Sequence, residues 1–317
     1  MYNNIVVDGH CDTLQKAFDE KLSIFSEKYS FNIKNALDTL PYIQFLASYI
    51  NTKYDVKDTA YLRVNKMLDK FYTEYENNRD SITLIENSDD IEKVFNEHKV
   101  GILLTIENGS ALSGDLSNIQ RLYDRKIRVM SLTWNDDNFL GSGAFSKNDL
   151  GLTKAGYECV KIMNKIGMII DVSHLSRKSF YDVFDTTING VIATHSCADK
   201  LCNSPRNLTD DQIKLIAKSK GVIGVCFYRE FLSNENIVTI DDILNHIEYI
   251  SNLVGTEFVS LGSDFDGMEK CDIPYGLNGI KNIREIAEKL ELRGFSKDEI
   301  YNIMGGNYIR VLKENFK

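Results

Sequence analysis

Residues 6–14 read VVDGHCDTL, a β-branched apolar run followed at once by a histidine and an aspartate two positions apart. The run is a strand candidate. His10 and Asp12 at its end are either an ordinary polar turn or a pair of metal ligands. At this composition a His-x-Asp triplet arises by chance in about one chain of three, so the surroundings must decide. Similar short runs recur along the chain: NIVV (4–7), SITLI (81–85), VGILLTI (100–106), IRVMSL (127–132), GMIIDV (167–172), GVIAT (190–194), GVIGVCF (221–227) and FVSLG (258–262). Near-continuous apolar runs of this kind suit parallel strands covered on both faces.

Helical patterns lie between the runs. TDDQIKLIAKSKG (209–221) opens on a Thr-x-x-Gln capping box, carries Ile213, Ile216 and Ala217 as a stripe, and closes on Gly221. TIDDILNHIEYISNLVG (239–255) repeats the plan with Ile243, Ile247 and Ile250. Eight strands alternating with helices predict an α/β chain folded as a (β/α)8 TIM-like barrel. The alternative is a doubly wound open sheet, but no GxGxxG follows any run and a dinucleotide site has no support. The interval 14–80 breaks the alternation. Within it, VKDTAYLRVNKMLDKFYTEYENN (56–78) predicts one long helix with Tyr61, Val64, Leu68 and Phe71 as its stripe. The interval is read as an elaborated helical connection after the first strand, inside a single domain over 1–317.

Composition narrows the function. The chain has 317 residues, 43% of them hydrophobic and 26% charged, which is ordinary for a globular protein able to bury a large core. A net charge of −9 disfavours nucleic acid as a partner, because phosphates need a basic footprint. No apolar stretch approaches the roughly 18 residues that span a bilayer, so no membrane partner is expected. The first residues carry neither a basic n-region nor a long apolar h-region. Cys11, Cys159, Cys197, Cys202, Cys226 and Cys271 form no CxxC pair and read as reduced thiols, with a cytoplasmic location as the expectation.

In a (β/α)8 barrel, catalytic groups stand at the C-terminal ends of the strands. There the sequence places His10 and Asp12, Glu107 in TIENGS, His174 in IDVSH, His195 in ATHS and Asp264 in LGSDFDG. Each has a plainer reading: a hydrogen-bonded rim histidine, a helix cap at Glu107, an Asx-turn at Asp264 before Gly267. Asp8 and Asp171 are read as supporting or turn residues. The plain readings would all have to hold on one face of one barrel, which favours a shared site. Imidazole and carboxylate without thiolate are ligands of catalytic Zn²⁺, with Mn²⁺ as the alternative. Three histidines and two or three carboxylates exceed what one open zinc requires. A pair of ions about 3.5 Å apart, bridged by a carboxylate and a hydroxide, uses them all and leads to hydrolysis of an amide or ester.

The set GHCDTL, TIENG, IDVSHLS, ATHSCADKLCNSPRNLTDDQI and LGSDFDGM, with the closing IMGGNYIRVL, resembles the renal-type, or membrane, dipeptidase family of zinc peptidases within the metal-dependent hydrolases. The likeness is weakest across 14–80. It implies a barrel holding two Zn²⁺ ions, His10 and Asp12 on the first, His174 and His195 on the second, and Glu107 bridging them. Asp264 is implied as the acid/base that passes a proton from the bridging water to the leaving amine. Arg206, in NSPRNLTDD, is implied as the clamp on a dipeptide's C-terminal carboxylate, a task suited to the guanidinium fork. Without the resemblance it would read as a surface arginine near a helix start. Tyr228 is implied in the pocket wall.

One departure marks a bacterial-type member. Mammalian-type members carry a histidine after strand 4, where SLTWNDDN here has Trp134 with Asn135 beside it. Either Asn135 donates a hydrogen bond in the histidine's place, or Trp134 walls the pocket. The resemblance implies a small dipeptide as substrate and a homodimer as the assembly. Two other readings remain: a binuclear hydrolase of the same barrel acting on another acyl, lactone or phosphoester substrate, and a metal-binding scaffold without catalysis.

Overall fold

The computed structural model describes residues 5–51 and 59–316. Its strands are β1 (Val6–Cys11), β2 (Tyr42–Tyr49), β3 (Ile82–Leu84), β4 (Val100–Glu107), β5 (Val129–Ser131), β6 (Ile169–Asp171), β7 (Val191–Ala193), β8 (Val222–Val225) and β9 (Val259–Leu261). All pairings between them are parallel. Following the pairs from β1 through β2, β4, β5, β6, β7, β8 and β9 returns to β1. The eight-stranded (β/α)8 barrel expected from the sequence is present, and nearly every strand residue is buried, as helix-covered parallel strands require.

The second stave is not the expected one. The run at 81–85 is β3, which pairs only with the start of β4, at Val100–Ile102. The stave between β1 and β4 is β2, inside the interval read as a helical connection. Tyr42, Ile43, Phe45 and Tyr49 of YIQFLASY favour a strand, but Leu46 and Ala47 are helix formers and the segment lies between two helical stretches, so it reads with them. Helices do flank it, at Thr13–Glu20 and Ile33–Leu37 before and Thr59–Asn77 after. The last is the long helix expected at 56–78. Its Val64, Leu68 and Phe71 are buried, Tyr61 is half-buried, and positions 56–58 lie outside the described residues. The two expected capping boxes are also formed, Thr209 with Gln212 and Thr239 with Asp242.

Strand-start side chains Ile43, Val129, Ile169, Ile192 and Val222 pack with Tyr308, Leu312 and Phe316 of the C-terminal segment, closing the N-terminal end of the barrel. Tyr308 Oη donates to the carbonyl of Thr194 at 3.2 Å. A Cβ at Gly9 would stand 1.9 Å from Tyr308 Oη and 2.7 Å from the Thr194 carbonyl oxygen, so β1 has no side chain there. The core is thus filled from below, and polar side chains are left to the opposite mouth. Among the described residues no helix is long and apolar enough to cross a membrane.

Candidate metal centre

β1 reaches the mouth through an irregular register. Asp8 pairs with Gln44 and Cys11 with Leu46, so β1 runs one residue long between them. Such a bulge re-aims side chains, and His10 sits on it. Asp12 follows the strand, Glu107 ends β4, and His174, His195 and Asp264 follow β6, β7 and β9. All five expected ligands are buried, between 1% and 6% exposed.

They converge. Glu107 Oε1 stands 2.8 Å from His174 Nε2 and 3.8 Å from His195 Nε2, while its Oε2 stands 3.3 Å from His10 Nε2. His10 Nε2 is 3.4 Å from Asp12 Oδ2 and 3.9 Å from Asp264 Oδ1. One carboxylate therefore lies between a histidine pair on one side and a His–Asp pair on the other. Groups able to hold a metal are Glu107 with His174 and His195, His10 with Asp12 and Glu107, and His10 with His195 and Asp264.

Hydrogen bonding behind the rings decides what they present. Thr194 Oγ1 lies 2.6 Å from Asp171 Oδ2 and must donate, since a carboxylate only accepts. That hydroxyl can then only accept from His195 Nδ1 at 2.8 Å, so His195 Nε2 carries a bare lone pair. Asn135 Oδ1 accepts from His174 Nδ1 at 2.8 Å, with the same consequence at His174 Nε2. The two Nε2 atoms are 2.8 Å apart. Two lone pairs at that distance repel unless positive charge lies among them; the Arg206 guanidinium, 3.4 Å from His174 Nε2, and a proton held on Glu107 supply part of it, and a metal ion would supply more. His10 Nε2 and Asp12 Oδ1 are also buried without a hydrogen-bond partner. Unpaired buried polar atoms cost about 1–3 kcal/mol each, and metal ligation removes that cost. The donor set fits one or more divalent ions.

The protonation tendencies agree. Burial drives the His174 and His195 rings well below the ordinary histidine value, with Arg206 and His10 adding to the effect, so both stay neutral. Burial also lowers His10, but the carboxylates of Glu107 and Asp12 more than reverse it. Burial lifts Glu107 to about 8, with repulsion from Asp12 adding, against the pull of His10. Burial lifts Asp264 to about 7, against the attraction of His10 and with repulsion from Asp12 adding. An acid-rich centre of this kind holds protons until other positive charge replaces them.

A cleft of about 490 Å³ opens onto the cluster, with Tyr49, Trp134, Asn135, Tyr228, Phe231 and Met268 among its walls. Trp134 stands between Tyr49 and His174, with ring centroids 5.4 Å and 6.0 Å away. Trp134 and Asn135 both line the cleft, and the side-chain oxygen of Asn135 is committed to His174 while its amide N–H groups take no part in that bond. Tyr228 meets Phe231 edge-on at 4.9 Å. Arg206 is buried beneath Phe231, 5.3 Å from its ring centroid, rather than on the surface. Its Nη2 donates to the His195 carbonyl at 3.0 Å and lies 3.4 Å from His174 Nε2, while its Nε has no partner. The other two histidines stand apart: His246 is a core residue bonded to Ala198 and Leu232, and His98 ends a helix.

Sequence reasoning missed three contributors. Tyr49 belongs to the unrecognised β2. Thr194 carries no motif signal, although its place between the end of β7 and His195 is a clue. Cys226, 3.6 Å from Asp264 Oδ2, reads from sequence only as a reduced thiol.

The family model described as membrane dipeptidase, peptidase family M19, matches residues 1–316. A Klebsiella pneumoniae protein described only as an uncharacterized protein in the pqqA 5' region is 33% identical over 71% of this chain and 85% of its own length. An uncharacterized dipeptidase of Schizosaccharomyces pombe is 33% identical over 74% of this chain, which spans 58% of that longer protein. Among solved structures, a metallo peptidase from Rhodobacter sphaeroides, liganded with a phosphinate mimic of the dipeptide L-Ala-D-Ala, superposes with a TM-score of 0.89. That match is 20% identical and covers 98% of this chain and 99% of the other.

Proposed function

The chain belongs to the membrane dipeptidase family, and from that membership we propose that its histidine–carboxylate cluster hydrolyses dipeptides to free amino acids. The observation that carries this reading is the pair of bare Nε2 lone pairs of His174 and His195 facing each other beside Glu107. His174 and His195 would hold one ion and His10 and Asp12 a second, with Glu107 shared between them. Two Zn²⁺ are proposed, with Mn²⁺ as the alternative, because the donors are imidazole and carboxylate only. Bound there, such ions supply Lewis acidity, activating water near neutral pH and polarising the scissile carbonyl.

The chain's own residues do the rest. Asp264, on the His10 side, is proposed to take the proton of the attacking water and hand it to the departing amine. Arg206, with Nε unpartnered, is proposed to hold the substrate's terminal carboxylate, while Tyr228 and Trp134 wall the cleft and exclude water. Asn135 is proposed to orient His174 through Oδ1, which leaves its amide N–H groups for the substrate. Because the Rhodobacter protein takes an L-Ala-D-Ala mimic, dipeptides with a D-residue at the second position belong among the candidate substrates. A single hydrolase unit over 1–317, acting as a homodimer in a reducing cytoplasm, completes the proposal. Six unpaired cysteines support that compartment.

The test is hydrolysis of L–L, L–D and C-terminally amidated dipeptides by metal-stripped protein before and after Zn²⁺ is restored. Zinc-dependent release of amino acids that is lost on amidation is the expected result. Zinc binding without cleavage of any dipeptide overturns the substrate assignment and leaves the metal centre.

A further inference from the structure

Behind Asp264 lies a cysteine for which the reaction above has no use. Cys226 follows β8 and is fully buried. Its sulfur receives the backbone N–H of Tyr228 at 3.5 Å and lies 3.6 Å from Asp264 Oδ2. A thiol has one proton to give and can accept weakly at sulfur. The Tyr228 amide takes the accepting side, so the proton is left for the carboxylate, which has only acceptor oxygens when ionised. The Cys226 backbone is itself held, because its carbonyl accepts from Cys197 Sγ at 3.3 Å.

The two oxygens of Asp264 are thereby made different. Oδ2 faces Cys226, while Oδ1 faces His10 Nε2 at 3.9 Å and the Cα side of Gly267, where a Cβ would stand 2.5 Å from it. We propose that Cys226 is a positioning residue: its S–H···Oδ2 bond fixes the Asp264 carboxyl so that Oδ1 is turned to the reacting groups. No proton leaves the sulfur. Oδ1 takes a proton from the attacking water and returns it to the amine, and Oδ2 stays on the thiol throughout. The effect on turnover rests on the dipeptidase reading, whereas the hydrogen bond does not.

Two measurements on the full-length, metal-loaded protein separate these. Cys226→Ala should lower kcat about tenfold with KM and metal content nearly unchanged, since a small loss of alignment acts on the chemical step. Cys226→Ser, which keeps a donor, should recover most of that loss. Unchanged kcat in Cys226→Ala, or a serine variant no better than the alanine one, overturns the positioning role. The second measurement is the infrared S–H stretch, isolated as the difference between wild type and Cys226→Ala. It should be displaced to lower frequency in the wild type and return in Asp264→Ala. A band indifferent to Asp264→Ala overturns the hydrogen bond itself. A displaced band in a protein that cleaves no dipeptide supports the Cys226–Asp264 pairing and strikes only the dipeptidase reading.

Discussion

Replacing Thr194 by valine removes one hydroxyl from behind the metal centre and leaves the shape of the side chain nearly intact. In the structure that oxygen joins Asp171 Oδ2, at 2.6 Å, to His195 Nδ1, at 2.8 Å. Asp171 keeps the N–H groups of Ser173 and Thr194, but both reach Oδ1, so the buried Oδ2 loses its donor. Stranding a charged acceptor costs about 2 kcal/mol, and the orphaned imidazole N–H adds about 1 kcal/mol. For 317 residues the unfolding entropy is about 0.67 kcal/mol/K, so the metal-free protein should melt about 4–5 °C lower.

The larger effect falls on metal binding. With no acceptor at Nδ1, His195 is free to move its proton to Nε2, the atom proposed to ligate. Loss of such a supporting partner lowers metal affinity about 10- to 100-fold. Chelator competition with Zn²⁺ measures this directly, with Thr194→Ser as the control that keeps the hydroxyl. If Thr194→Val melts lower as calculated yet binds Zn²⁺ as tightly as wild type, the chain from Asp171 through Thr194 only braces strands, and the tautomer argument fails.

Metal uptake should be linked to pH. Glu107, lifted from its ordinary 4.5 to about 8, must give up its proton, so affinity should rise with pH up to about 8. Calorimetry in buffers of different ionisation enthalpy should detect that proton release. For the metal-free fold the sign is opposite: between 4.5 and about 8 the unfolded chain ionises Glu107 while the folded one keeps it protonated. This group therefore makes the fold less stable as pH rises through that window, and a melting series should show the decline. Gly267→Ala would set a Cβ 2.4 Å from Asp12 Oδ2 and 2.5 Å from Asp264 Oδ1. Displacing both carboxyls should cut kcat/KM about 100-fold, and steady-state kinetics at wild-type-like activity would contradict the placement of these oxygens. Asp264→Asn should lower kcat by about 10²–10⁴-fold while plasma emission spectrometry finds normal metal content; equal activity would remove Asp264 from proton transfer.

What was legible in the sequence follows from how residue type and position combine. Histidine and carboxylate at the ends of apolar runs are rare enough, and placed constrainedly enough by a barrel, that His10, Asp12, Glu107, His174 and His195 could be gathered before any coordinates. β2 was not legible because a stave is defined by its neighbours. YIQFLASY is held by Asp8↔Gln44 on one side and seven consecutive pairs with β4 on the other, and its mix of strand-favouring aromatics with Leu46 and Ala47 does not by itself choose between strand and helix. Tyr49 was lost with it. Thr194 and Cys226 are different: each acts through the atom it leans on, so neither carries a signal until the distance to Asp171 or to Asp264 is known. Arg206 was placed by resemblance, and its burial under Phe231 is a tertiary fact.

Left-handed backbone recurs at the barrel mouth, and the residue types found there explain how the fold tolerates it. Outside glycine, left-handed φ values occur at Lys21, His98 and Ser113, where a helix ends, and at Lys126 and Lys220 just beyond helices. The others are Asn108, His174, Asp264 and Asp266, which follow β4, β6 and β9 at the barrel mouth. Holding a non-glycine residue there costs about 1 kcal/mol or more, which glycine would avoid. The surrounding structure imposes it. The His174 carbonyl accepts both Ala144 N and Thr133 Oγ1, and Asp264 N donates to the His10 carbonyl while its own carbonyl accepts Gly267 N. His, Asn and Asp are the non-glycine residues that enter this region most readily, so His174 and Asp264 reach the cluster at modest backbone cost, as Asn108 and Asp266 do where their side chains accept backbone N–H groups and brace the mouth.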